Sequence, residues 1–554
     1  MTAEYFNRHG SLGNSTTFPL TVSMSLKDAF RPPRETERQR TLDGPIPPGT
    51  IRSAPHSTAG SHYQSTCGLV SMTFFNISAL REAIDPPGLV FGTDVLRNVE
   101  NLRVPVCSKS YIRGEVLENE FDPTTVEWQN GATFPGAVGR PFDCTVHSIE
   151  EISAEPEVRK PKFEIQLAFD ANESATKNFE AGDSFYVICP NAEMDVEFLL
   201  ARLNLTSKAN LQYKFTVHED SGKTVPSYIP TICSIRHILT YCLDIRRVPG
   251  RPVIRALAEY CSDPKERRRL LELCSVDGVR EFQQHVQSAS ISVIDLLIHF
   301  ESCSPPIERL VEILPRLLPR AYTVASWDLY AKNRFRFVVS LMKTTAKDGV
   351  VYTRFGLCSG YLRSLMNGDQ VQLIVKEPSK FRFPLAVKRD ISLDAAPIVM
   401  IAPGTGIAPF LAFLERFREL DSLVGITSRP RRYLFYGSSN FEKEFIFRTE
   451  IEKLKADGIL TDLILCESKP TDQETPSRYV YDGLADQPKE FFDFLFSTPQ
   501  PFIYACGDVK QMSRQLWETL SDLFVKHCGL TKLESIAHLT EWRKNEYFIE
   551  DVWS

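Results

Sequence analysis

Four short segments of this chain carry residue types suited to nucleotide-bearing ligands: Arg320-Ala-Tyr-Thr323, Pro403-Gly-Thr-Gly406, Tyr504-Ala-Cys-Gly-Asp508 and the closing Tyr547-Phe-Ile-Glu-Asp-Val-Trp-Ser554. The planar fork of Arg320 can donate two hydrogen bonds at once, which suits a pyrophosphate. Tyr322 shares its strand face and can stack on a flat ring such as a flavin. Thr323 adds a hydroxyl able to donate to that ring's redox-active edge. Gly404 and Gly406 permit a tight turn from strand to helix, with Thr405 and backbone amides facing a phosphate. Gly356-Leu-Cys-Ser359 follows the same logic: the glycine lets amides approach an anion, and Ser359 can add a hydroxyl at a helix N-terminus. Cys506 and Asp508 fall at a strand end, where open α/β sheets bind ligands, and a thiol and carboxylate there can orient a nicotinamide for hydride transfer. Ser468-Lys469 and Arg478-Tyr479 supply cations for the extra phosphate of NADP, as opposed to the ribose hydroxyl of NAD. Each segment alone also reads as something ordinary: solvated charges, a turn, a core thiol, a fraying tail.

Positioning these residues requires at least two domains, and 554 residues exceed one core. β-rich runs at 142–148, 163–169 and 185–188, separated by turn chemistry such as Ala181-Gly-Asp183, predict an antiparallel β-barrel. Helical periodicity then dominates residues 194–318 as an insertion, including a helix over 263–274 with Ser262 as N-cap and Pro264 in its first turn, and another over 290–300. Strands return at 322–325, 336–342 and 370–375. From residue 398 strands and helices alternate: strands at 398–401, 432–436, 460–465 and 502–505, helices at 408–418, 444–455 and 510–527. That alternation predicts a doubly wound α/β sheet. The expected organisation is a linker over 1–60, an unassigned stretch over 61–140, the barrel with its insertion over 141–393, and the α/β domain with its tail over 394–554.

A net charge of −6 without a basic stripe argues against nucleic-acid binding. The longest apolar stretch, 395–414, holds three prolines and two glycines, which suits a buried strand running into a helix and not a membrane span. The first ten residues lack the apolar segment of a secretory signal. Thirteen cysteines without a CxxC pair point away from a disulfide framework and a metal site, toward core thiols in a reducing, cytoplasmic setting.

Together and in this order, these motifs resemble the diflavin reductase family, which includes cytochrome P450 reductase. The resemblance covers roughly residues 140 to 554 and extends to Ala181-Gly-Asp-Ser-Phe-Tyr-Val-Ile-Cys-Pro-Asn191, Arg255-Ala-Leu-Ala-Glu-Tyr260 with Ser262-Asp263, and Glu272-Leu-Cys-Ser275. It implies a ferredoxin reductase-like fold in which Arg320, Tyr322 and Thr323 hold FAD, with Gly356, Leu357, Cys358 and Ser359 at its pyrophosphate. Gly404, Thr405, Gly406 and Asp508 would hold NADPH, with Ser468, Lys469, Arg478 and Tyr479 at its 2′-phosphate. Thr323, Cys506, Asp551 and Trp553 would form the hydride-transfer group, Trp553 covering the flavin until nicotinamide displaces it. The family's usual Ser is Thr323 here, and its usual Gly-Cys-Arg reads Gly437-Ser-Ser439, which implies either a lower NADPH affinity or compensation by Arg448 or Lys443. The Ser/Thr-rich loop of a flavodoxin-like FMN domain is not found before Phe142. Within the family, the residues look most like the branch that delivers electrons through FMN to the cob(II)alamin of methionine synthase. The alternatives are a two-electron FAD reductase of a separate flavodoxin- or ferredoxin-type acceptor, and a noncatalytic scaffold for methionine synthase.

Overall fold

Alternating burial builds the first sheet. Phe142, Cys144 and Val146 are buried two residues apart in β2 (Ala137–Glu151), and Phe335, Phe337 and Val339 repeat the pattern in β8 (Arg334–Ser340). These side chains share one core with residues of β3 (Lys162–Phe169), β4 (Ser184–Val187) and β11 (Gln370–Lys376). With β7 (Arg320–Thr323), the strands pair antiparallel in the order β7-β4-β11-β2-β3-β8. A bridge between Val324 and Phe337 brings the two edges together, closing the sheet as the expected barrel. The computed structural model describes residues 98–553 apart from 154–159, 171–178, 328–332, 346–352, 385–396, 425–429, 473, 497–500 and 509–511, together with residues 81, 91–92 and 95–96. The linker expected over 1–60 lies outside the described residues.

Between β4 and β7 the chain forms helices α1 (Glu193–Arg202), α2 (Ile235–Tyr241), α3 (Arg251–Leu257), α4 (Pro264–Cys274), α5 (Val279–Phe282), α6 (Val293–His299) and α7 (Ile307–Ile313). Phe198, Leu239, Leu257, Leu270, Leu297 and Leu310 give them a core of their own. The insertion is less purely helical than its periodicity suggests. It contains β5 (Leu211–Val217) and β6 (Ile232–Ser234), and β1 (Ile112–Glu120), from the unassigned stretch, pairs antiparallel with β5. Two helix starts also differ. Asp263, not Ser262, caps α4, because its carboxylate accepts from the amides of Lys265 and Glu266 at 2.7 and 3.1 Å and meets the positive end of the helix dipole. α6 begins at Val293, not Ser290: Ser290 is left-handed (φ 54°), and Ser292 forms a capping box with Asp295.

The C-terminal half is a parallel sheet of β12 (Ile398–Pro403), β13 (Arg432–Ser438), β14 (Asp462–Glu467), β15 (Phe502–Asp508) and β16 (Phe548–Trp553), in the order β14-β13-β12-β15-β16. Helices cover both faces, so alternate strand residues enter two cores and β13 is buried throughout. The strand order reverses beside β12, which places the crevice for a ligand at its C-terminal end. The single helix expected over 444–455 is two, α10 (Phe441–Glu444) and α11 (Arg448–Ala456), broken at Phe447 with φ 57°. A partner explains that strained backbone. Arg336 of the barrel lies 4.5 Å over the Phe447 ring while donating to Glu164 of β3 at 2.7 Å and Glu450 of α11 at 2.6 Å. This joint ties barrel to sheet.

Among the described residues no helix is long and apolar enough to cross a membrane. Of the described cysteines, all but Cys107 and Cys528 are buried. His237 packs edge-on to Phe121 and near Tyr241, and its Nε2 has no hydrogen-bond partner among the described residues. Burial lowers its pKa from the ordinary 6.5 to about 4. A depressed folded pKa contributes stability that is present above pH 6.5 and lost as pH falls through 4. Urea midpoints measured across that window will therefore fall less steeply with acid in His237→Phe than in the unaltered chain.

Candidate active site

The chain end is a strand, and that decides where its residues go. β16 runs parallel to β15, with Asp551 opposite Cys506 and Trp553 opposite Asp508. Phe548 and Ile549 anchor it in the two cores, so the tail does not fray. From the barrel side, Thr323 at the end of β7 donates its hydroxyl to Asp551 Oδ2 at 3.3 Å. Thr323 has one proton, and Ser184 Oγ lies 3.0 Å from the same oxygen, so Ser184 donates to Thr323. Ser184 was not singled out from sequence; its register opposite Thr323 in the β4–β7 pair was the available signal. Three of the four proposed hydride-transfer residues thus meet where barrel and sheet join. The hydroxyl proton of Thr323 is therefore directed at Asp551.

Cys506 is 1% exposed, on the sheet face that also holds barrel residues Ala181 and Phe381. Burial pushes its thiol well up, and the Asp551 charge pushes the same way. Cys506 is therefore a neutral thiol throughout the neutral pH range. Trp553 is 44% exposed at the outer end of β16.

Beside this junction Pro403 leads into a turn of 3₁₀ helix, Gly404–Ile407, and then helix α9 (Ala408–Val424). Gly404 has φ 55°, and a Cβ on Gly406 would lie 2.0 Å from the Cys506 carbonyl oxygen. Any side chain at 406 would collide with the end of β15, and the left-handed backbone at 404 favours glycine. Thr405 Oγ1 accepts from Ser340 Oγ of β8 at 3.4 Å. Lys162 of β3 was also missed from sequence. Its Cε lies 4.0 Å from where a Gly404 Cβ would be, and its Nζ pairs with Glu444 at 2.6 Å with both side chains largely buried.

The expected 2′-phosphate residues gather at the ends of β13 and β14. Ser468 and Lys469 donate backbone amides to the Ser438 and Ser439 carbonyls at 3.0 and 2.8 Å, and the Arg478 amide bonds Glu467. Arg478 lies 3.5 Å from Asp486, and Tyr479 stacks on Tyr481. Arg448 donates to the Phe441 carbonyl and lies over Phe445. Arg478→Ala is expected to raise the KM for NADPH at least about tenfold, the usual scale for a lost charge-assisted bond, and to leave NADH kinetics alone.

Gly356 is the N-cap of α8 (Leu357–Ser364), and among the described residues no side chain caps that first turn. Ser359 does not offer its hydroxyl outward: Oγ accepts from the Met342 amide at 3.2 Å and donates to the Gly356 carbonyl at 3.4 Å. Cys358 lies beneath, fully buried beside Cys189 and Tyr322. Burial pushes its thiol well up, against the opposing charge of Arg320. Burial likewise pushes the Tyr322 phenol well up. Arg320 bonds the Leu318 carbonyl and lies 3.8 Å from Asp244.

These donor sets fit a flavin adenine dinucleotide and a pyridine nucleotide. An uncapped helix start with an arginine beside it suits the first pyrophosphate, and a glycine turn at the strand reversal suits the second. The model for an FAD binding domain matches residues 139–361, and that for an oxidoreductase NAD-binding domain matches residues 400–516. Methionine synthase reductase of Caenorhabditis elegans is 38% identical over 472 residues, covering 84% of this chain and 68% of the worm protein. The human protein of that name is 33% identical over 394 residues, 68% of this chain and 56% of its own length. NADPH–cytochrome P450 reductase of Musca domestica is 26% identical over 429 residues, 75% of this chain and 60% of the fly protein. With both nucleotide domains present and this degree of identity, the chain belongs to the methionine synthase reductase family of NADPH-dependent FAD oxidoreductases.

Proposed function

We propose that the chain takes hydride from NADPH at a centre of Thr323, Cys506, Asp551 and Trp553, and supplies electrons, through an FMN-bearing flavodoxin-like domain, to the cob(II)alamin of methionine synthase. The observation that carries the reading is the convergence of Thr323 on Asp551 at 3.3 Å, with Cys506 opposite Asp551 on the neighbouring strand. FAD, when bound, supplies the step from a two-electron donor to one-electron acceptors. The residues do the rest. Arg320 and the first turn of α8 bind one pyrophosphate; Gly404, Thr405 and Gly406 bind the other. Ser468, Lys469, Arg478 and Tyr479 select the 2′-phosphate, with Lys469 and Arg478 carrying the charge that Ser439 cannot. Asp551 is a carboxylate poised to stabilise positive charge developing on a nicotinamide, and Cys506, uncharged, leaves that field undiluted. Trp553 covers the reacting face and excludes water. The acceptor is supported by the names of the relatives, and a cytoplasmic setting fits it.

The test is NADPH-dependent reactivation of cob(II)alamin methionine synthase with S-adenosylmethionine, with and without an added FMN domain. Reactivation that needs the FMN domain supports the reading. Fast ferricyanide reduction without any reactivation would favour a two-electron reductase of another acceptor. Stabilisation of methionine synthase by a chain that takes up no flavin would favour the scaffold.

A further inference from the structure

The turn that starts α8 is held by an unusual support. The strand just before it, β10 (Thr353–Phe355), pairs only with β9 (Lys343–Thr345) among the described residues, and this two-stranded ribbon is separate from the six-stranded barrel sheet. Among the described residues the barrel sheet itself does not hold Gly356, and two sets of contacts do. One is local: the Gly356 amide donates to the Met342 carbonyl at 2.8 Å, and the Met342 amide donates to Ser359 at 3.2 Å. The other reaches across the protein. Arg354, two residues before Gly356, donates from Nη1 to Asp295 Oδ2 at 2.7 Å and from Nη2 to the Ser290 carbonyl at 2.6 Å, both on the helical insertion.

Asp295 is built for this grip. It is 0% exposed, and Oδ2 also accepts from the Ser292 amide and hydroxyl, each at 2.7 Å. Its other oxygen accepts from Arg246 at 2.8 Å, and Arg246 passes on to Asp195. Burial opposes the charge on Asp295, yet Arg246 and Arg354 keep its carboxyl below the ordinary range. The left-handed backbone at Ser290 (φ 54°) accompanies the carbonyl that meets the second arm of Arg354. A buried Arg–Asp–Arg triad is a poor source of stability compared with apolar packing, and its best-attested use is to fix one geometry among several.

We propose that Arg354 is a positioning residue for FAD: gripping Asp295 and Ser290, it sets the place and direction of the first turn of α8, whose amides bind the pyrophosphate. The proposal rests on the reading that this turn and Arg320 take that pyrophosphate. Arg354 itself touches no ligand in this role. Its loss leaves Asp295 still paired with Arg246 and Ser292, so the core keeps a compensated charge while the turn loses its outer tether.

The test measures FAD affinity of the apoprotein by quenching of flavin fluorescence, beside thermal melts of the same apoproteins. The variants are Arg354→Met, Arg354→Lys and, as the direct-contact control, Arg320→Ala. Arg354→Met is expected to raise the FAD Kd about tenfold or more with an apoprotein melt close to the unaltered one, as suits a lost charge-assisted fork. Activity at saturating FAD returns. Arg354→Lys keeps the charge without the fork and falls between. If Arg354→Met does not fold, Arg354→Lys carries the test alone: a raised Kd supports the proposal and an unchanged Kd overturns it. An unchanged Kd with a lowered melt in Arg354→Met means structural glue only and overturns the positioning role. If Arg320→Ala weakens FAD and Arg354→Met does not, the proposal fails while the site stands. If neither weakens it, the pyrophosphate lies elsewhere and both readings fail.

Discussion

Replacing Trp553 with alanine will let the enzyme use NADH, raising kcat/KM for NADH at least about tenfold, because a stacked indole contributes on the order of 1.4 kcal/mol or more. The fold will tolerate the change. Trp553 is 44% exposed, and β16 is held by its ladder to β15 and by Phe548 and Ile549 in the cores. The effect therefore falls on the ligands. In the proposed centre, any nicotinamide must first displace the indole. NADPH meets that cost with the interactions of its 2′-phosphate at Ser468, Lys469 and Arg478, and NADH lacks them. Removing the indole removes the cost, so discrimination collapses, and nicotinamide release after transfer slows because nothing returns to expel it. Steady-state ferricyanide reduction with both nucleotides, followed by stopped-flow of the release phase, measures both effects. Unchanged kinetics with either nucleotide would remove Trp553 from the centre.

Cys506→Ala and Asp551→Ala will each slow hydride transfer about 10²-fold, the scale of a misplacement near 1 Å in a reacting geometry, and leave FAD content unchanged. The thiol is buried and held neutral by burial and by Asp551, so in the proposed centre it would serve by shape and not as a thiolate. It follows that iodoacetamide will label the exposed Cys528 and spare Cys506, and that the transfer rate will show no thiol ionisation through the neutral range. Asp551 also accepts from Thr323 at 3.3 Å, so its loss frees the Thr323 proton while Ser184 still donates to the Thr323 oxygen. Thr323→Ser keeps that hydroxyl and will keep most of the rate. An activity that falls only in proportion to lost FAD in the alanine variants would show that these residues hold the fold and do not serve the reaction.

Both halves of the architecture were legible because each obeys one period. Burial two residues apart marks β2 and β8, and the apolar run into Pro403-Gly-Thr-Gly406 marks the strand–turn–helix at the crevice. What was not legible depended on distant partners. The helix expected over 444–455 breaks because Phe447 adopts a left-handed backbone under Arg336, a residue more than a hundred positions away. β1 could not be assigned because its partner, β5, lies inside the insertion. Ser184 and Lys162 are a strand serine and a strand lysine until pairing sets one beside Thr323 and folding sets the other beside Gly404. The partners of two expected hydroxyls have the same origin: Ser359 bonds the Met342 amide and Thr323 bonds Asp551, contacts set by residues distant in sequence. The tail shows the reverse: its motif, and no periodicity, pointed to these residues, and the structure makes residues 548–553 a strand paired with β15.

The most direct test is an anaerobic absorption titration of the purified, FAD-loaded chain with NADPH, with the released flavin identified chromatographically. The expected result is FAD whose absorbance bleaches on stoichiometric NADPH and bleaches far more slowly in Asp551→Ala. A chain that takes up no FAD, or FAD that NADPH leaves coloured, would contradict it.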